Sequence, residues 1–82
     1  MYIKGMVERS FNPKFPIGLN TGDGDILLLE DPDNKIGIDV RHNPILWMQL
    51  ESRIDYPGEG SPLIVYSVLK ANEQKEEVIP RG

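Results

Sequence analysis

The feature that most constrains this chain is the run from Leu46 to Tyr56. Leu46, Met48, Leu50, Ile54 and Tyr56 recur at every second position with only Ser52 breaking the series, while Gln49, Glu51, Arg53 and Asp55 alternate with them beside Trp47. A period of two places each set on one face of an extended strand; on a helix the same polar residues would be spread around the whole circumference. The competing reading is a short helix over residues 44–54, entered through Asn43-Pro44 as cap and first turn, with Leu46, Leu50 and Ile54 along one side. The alternation favours the strand.

The rest of the chain supplies partners for it. Ile3, Val7 and Phe11 share a face from Tyr2 to Phe11, with the β-branched and aromatic content of a strand. "DILLLEDPDNKIGIDV" reads as a hairpin: Ile26–Leu29 is an apolar run of strand length, Asp31-Pro32-Asp33-Asn34 has turn chemistry, and Ile36, Ile38 and Val40 alternate again. "YPGEGSP" ends the long strand, and "LIVYSVL" follows with apolar residues on both faces, as expected of a strand covered on both sides. Residues 11–25, with Pro13, Pro16, Gly18, Gly22 and Gly24, predict a loop, because proline removes ladder donors and glycine adds chain entropy. Its apolar Phe11, Phe15 and Ile17 predict that this loop lies on the protein body or on a partner.

About five strands in 82 residues predict an all-β fold, a small antiparallel barrel or strongly curved sheet of the size of SH3-like and OB-like folds; the alternative is α+β with one helix at 44–54. A chain this short holds one core. The expected organisation is a β domain over 1–72 and a polar tail over 73–82, with Val78-Ile79 as a possible added strand at 77–79.

Composition removes several function classes. Without cysteine, disulfide staples, Cys-ligated zinc and thiol catalysis are excluded, which suits a reducing, cytoplasmic setting. Lys4 and Glu8 interrupt the first apolar run, and no segment reaches the ~20 apolar residues of a membrane span, so a soluble protein is expected. A net charge of −4, with nine Lys and Arg scattered along the chain, opposes direct nucleic-acid binding.

Chemical motifs fare no better. Asp23, Asp25, Glu30, Asp31 and Asp33 supply oxygen ligands, but no start point gives a calcium loop: Ile36 stands where the turn needs glycine in one frame, and Leu27 where a ligand is needed in another. "GLNTGDG" has glycines suited to cradling phosphate, yet it lacks a Lys-Ser/Thr pair and carries Asp23 and Asp25. His42 is the single histidine, and Ser10, Ser52, Ser61 and Ser67 stand in no nucleophile-elbow context. No catalytic residue, metal ligand or cofactor is assigned.

The expected function is therefore a non-enzymatic binding or adaptor module acting on a protein partner or as a homodimer. Its candidate contact residues are Trp47, Phe11, Phe15, Ile17 and Tyr66, since exposed aromatics on a rigid sheet make interface anchors. Two alternatives are a small metal- or ligand-binding enzyme using the loop carboxylates, and an acidic nucleic-acid mimic that inhibits a partner through Glu30, Asp39, Glu51, Asp55 and Glu59.

Overall fold

The computed structural model describes residues 1–56 and 58–81. It is all-β, with strands β1 (Tyr2–Asn12), β2 (Phe15–Asn20), β3 (Ile26–Glu30), β4 (Ile45–Asp55) and β5 (Leu63–Asn72), and short 3-10 turns at Val40–His42 and Lys75–Glu77. The strands form one sheet that closes into a ring in the order β1-β2-β3-β5-β4. With β4 returning to lie beside β1, the order 4-1-2-3 is a Greek key. Every pairing is antiparallel except that of β3 with β5, so the sheet is mixed rather than purely antiparallel.

β1 closes the ring by serving two neighbours. Its first half pairs with β4, from Tyr2 opposite Gln49 to Met6 opposite Ile45, and its second half pairs with β2, from Met6 opposite Asn20 to Arg9 opposite Ile17. Gly5 stands at the handover. A Cβ there would lie 2.7 Å from the Asn20 carbonyl oxygen and 2.9 Å from Leu19 Cγ, so only glycine admits so close an approach. Inside the ring, Val7, Leu19, Leu29, Leu46, Met48, Leu50 and Val68 form the core together with Ile36, each large side chain contributing about 1.5–3 kcal/mol by leaving water.

Residues 11–25 depart from the expected loop. Phe15–Asn20 is a strand between β1 and β3, and Pro16 is tolerated because it falls opposite a bulge: Arg9 faces Ile17 and Asn12 faces Phe15, leaving Ser10 and Phe11 against Pro16 alone. Gly18 is required, since a Cβ would meet Ile26 Cγ2 at 2.6 Å. Asn12 Oδ1 accepts from the Lys14 N–H at 3.0 Å to shape the β1–β2 turn.

The expected hairpin over 26–40 is also corrected. The turn forms, with the Asp31 carboxylate accepting from the N–H groups of Lys35 (2.7 Å) and Ile36 (2.9 Å). No returning strand follows, because β2 and β5 occupy both edges of β3 and Gly37 adopts φ +68°. Ile36 is instead buried in the core, and Ile38 and Val40 pack beside it. Alternation here serves an irregular connection. No strand forms at 77–79 either: Lys75–Glu77 is a 3-10 turn, the N–H groups of Val78 and Ile79 both donate to the Lys75 carbonyl, and Val78 is buried.

β4 is a strand, which removes the helix alternative, but its two halves differ. Leu46, Met48 and Leu50 are buried as expected; Ile54 and Tyr56 are exposed and Asp55 is buried in their place. The pairing with β5 is bulged, Gln49 facing Lys70 and Leu50 facing Val68 with Leu69 skipped. β1 ends at this level, so among the described residues the second half of β4 leaves the ring with β5 as its only ladder partner. Among the described residues no helix is long and apolar enough to cross a membrane.

Candidate interaction surface

Ile54 and Ile64 are direct cross-strand partners at the outer end of the β4–β5 ribbon. Opposed residues on a sheet face carry their Cβ atoms about 4.5–5.5 Å apart, so the two side chains make one apolar patch. They are 54% and 57% exposed, and Tyr56, just beyond them, is 73% exposed. The recorded β3–β5 ladder runs from Leu28–Val65 to Glu30–Ser67, and the β1–β4 ladder stops at Gln49. At Ile54, among the described residues, β4 therefore has β5 alone beside it, which is why a residue with the patterning of a core stands in solvent.

A two-stranded ribbon is marginal by itself; this one is braced by ions. Arg53 donates from Nε to Glu30 Oε1 at 2.6 Å and from Nη2 to Oε2 at 2.7 Å, a bidentate pair, and Ser67 Oγ donates to Oε1 at 2.8 Å. Arg53 Nη1 also reaches Asp55 Oδ1 at 3.3 Å, and Lys14 Nζ reaches Asp55 Oδ2 at 3.0 Å. This chain of charges links the β1–β2 turn, β3, β4 and β5. Phe15, 5% exposed, lies within 5.6 Å of Lys14 Nζ and 5.9 Å of Arg53 Cζ, measured from its ring centre. The Arg53 hydrogen bonds, aided by Ser67 and the Arg53 charge against an opposing burial cost, hold the Glu30 carboxyl at about 2. Lys14, followed by Arg53, holds the Asp55 carboxyl below its ordinary value against the cost of burial.

The five residues expected to form the contact surface are dispersed. Phe15 is buried under this ionic strap; Ile17 and Tyr66 are half-buried against the core. Trp47 is half-buried, with Lys4 Nζ 5.9 Å and Lys75 Nζ 5.1 Å from its ring centre, so the tail shares in covering it. Phe11 alone is open, 88% exposed at the β1 bulge. Sequence reasoning assigned Ile54 and Tyr56 to the interior, because an unbroken period of two gives no sign of where neighbouring strands stop. The one available hint was Asp55-Tyr56-Pro57-Gly58, which marks Ile54 as close to a strand end.

Asp39 accepts from Arg41 Nη2 at 2.7 Å and from its backbone N–H at 2.9 Å, and these bonds hold its carboxyl below the ordinary value. A hollow of about 440 Å³ beside it is lined by Arg9, Ser10, Ile17 and Val40; another of about 500 Å³ lies between Ile36, Leu46, Ala71 and Gln74. Of the acidic residues considered for nucleic-acid mimicry, Glu30, Asp39 and Asp55 are ion-paired within the chain, which weakens that surface. Among the described residues no group of three His, Asp or Glu is placed to hold a metal ion.

Comparison of the chain with protein-family models, with curated proteins and with solved structures found no match.

Proposed function

We propose that this chain is a non-enzymatic binding module acting through protein–protein contact, with the outer β4–β5 ribbon as its contact surface. The observation that carries this reading is the exposed cross-strand pair Ile54 and Ile64 with Tyr56 beside it, on a ribbon held by the Arg53–Glu30 and Lys14–Asp55 pairs. Apolar side chains on a pre-organised support lose little entropy when a partner covers them. The net charge of −4 makes a protein a better candidate partner than nucleic acid, and a cysteine-free chain suits a cytoplasmic setting.

Affinity capture with the immobilised chain from the native lysate tests this. Ile64→Lys and Tyr56→Ser should each abolish capture of a protein that the unaltered chain retains, while Phe11→Ser, on a different surface, should leave it. Equal capture by all four chains would overturn the reading.

A further inference from the structure

We propose that the partner on this surface is a second copy of the chain, joined β4 to β4 in antiparallel register centred on Ile54. This deepens the contact-surface reading and rests on it. From Trp47 to Leu50 both edges of β4 are occupied, the last bonds to β1 being Leu50 N–H to the Met1 carbonyl at 2.8 Å and the Met1 ammonium to the Leu50 carbonyl at 3.0 Å. Along an antiparallel strand the N–H and C=O groups of alternate residues point to the same side. Ser52 and Ile54 therefore direct theirs where Leu50 does, beyond the end of β1. Among the described residues, 51–55 pair with β5 alone, and Glu51, Ser52, Arg53 and Ile54 are all exposed. Such an edge is a template for another strand.

The charges along it select both the occupant and the register. A two-fold axis at Arg53 would set Arg53 against Arg53 of the second copy and Glu51 against its Asp55; an axis at Asp55 would oppose two carboxylates. An axis at Ser52 would set Ile54 of the second copy against Leu50, whose backbone groups are already bonded to Met1. Centred on Ile54, the pairing opposes no like charges: Arg53 stands opposite Asp55 of the second copy, a carboxylate already bonded to Lys14 and Arg53 of its own chain, the two Ile54 residues exchange backbone hydrogen bonds, and Ser52 faces Tyr56 of the second copy. Because Ile64 is the cross-strand neighbour of Ile54, the same register makes one apolar row, Ile64-Ile54-Ile54-Ile64, across four strands. Freedom from like-charge opposition and apolar continuity coincide in this register alone among the four.

The chain has no cysteine, so single-cysteine variants read the register directly. Hydrogen-bonded antiparallel partners have Cα atoms about 5.5 Å apart, within disulfide reach. Ile54→Cys should form a covalent dimer under mild oxidant. Ser52→Cys and Tyr56→Cys should each remain monomeric alone and cross-link when mixed. Light scattering of the unaltered chain should show the mass doubling with concentration, and Ile54→Lys should weaken that association at least tenfold with unchanged circular dichroism. A chain that stays monomeric at its highest soluble concentration, or a Ser52→Cys that cross-links to itself instead, would overturn the proposal. If the monomeric chain still captures a protein that Ile64→Lys loses, self-pairing falls and the contact surface stands; if capture is also unaffected, both fall.

Discussion

The two halves of β4 carry the same alternation and meet opposite fates. From Trp47 to Gln49 the strand lies between β1 and β5, and Leu46 and Met48 are buried with Leu50 just beyond. From Glu51 to Asp55 it keeps β5 but loses β1, and Ile54 is more than half exposed. The difference lies in the neighbours and not in the residues. Burial along a strand is decided by how far the flanking strands extend, so a hydrophobic residue beyond their reach becomes surface available to something else.

The largest effect that sharpens this contrast is truncation on either side of the boundary. Met48→Ala should cost about 2–5 kcal/mol of unfolding free energy, because the ring cannot collapse around the space left, whereas Ile54→Ala should stay within about 0.5 kcal/mol in the monomer. Urea melts of the two variants at low protein concentration check this; comparable losses would mean that the outer half is packed like the inner one. Next in size is Gly5→Ala, which strikes the β1 residue that seats β4. With backbone oxygen at 2.7 Å from the new Cβ, the strands must part, at about 1–3 kcal/mol. A neutral result would mean that the handover from β4 to β2 is looser than this spacing implies.

The strap that stiffens the outer half should make it acid-sensitive. Glu30 has a carboxyl pKa of about 2 in the folded chain against an ordinary 4.5. A depressed folded value contributes stability above the unfolded pKa and loses it as pH falls toward the folded one. Tm should therefore decline between about pH 4.5 and 2, with Asp55 and Asp39, both lowered, adding in the same direction. Glu30→Gln should flatten part of that decline without changing its sign, as thermal melts across this range would show. An identical slope would detach the strap from stability.

How much of this was legible in the sequence follows the same logic of neighbours. β4 was readable because its alternation is local, and the small all-β architecture followed from turn chemistry and length. β2 was hidden by Pro16 and Gly18, whose reasons for being in a strand are a bulge in β1 and the Ile26 side chain, both remote in sequence. Ile36, Ile38 and Val40 alternate like a strand, yet β3 has no free edge for them, since β2 and β5 flank it. The proposed contact surface was the least legible element: Trp47 and Phe15 read as exposed aromatics, whereas Phe15 is buried beneath Lys14 and Arg53 and Trp47 is half-buried beside Lys75.

The smallest effect is also the finest probe of the boundary, because it resolves one strand residue by residue. The Leu50 N–H donates to Met1 and should exchange slowly with solvent. By alternation Glu51 and Arg53 direct their N–H groups toward β5 and should also be protected, while Ser52 and Ile54 direct theirs to the open edge and should exchange quickly in dilute solution. Amide exchange followed by NMR would then alternate along 51–54, a pattern that neither fraying nor uniform burial can imitate. Fraying would speed all five amides together, and a neighbour over the edge within the same chain would slow Ser52 and Ile54 at every concentration. If those two amides become protected only as the protein is concentrated, the open edge is being filled by another copy, and the difference between the two halves of β4 reduces to whether the strand beside them belongs to the same molecule.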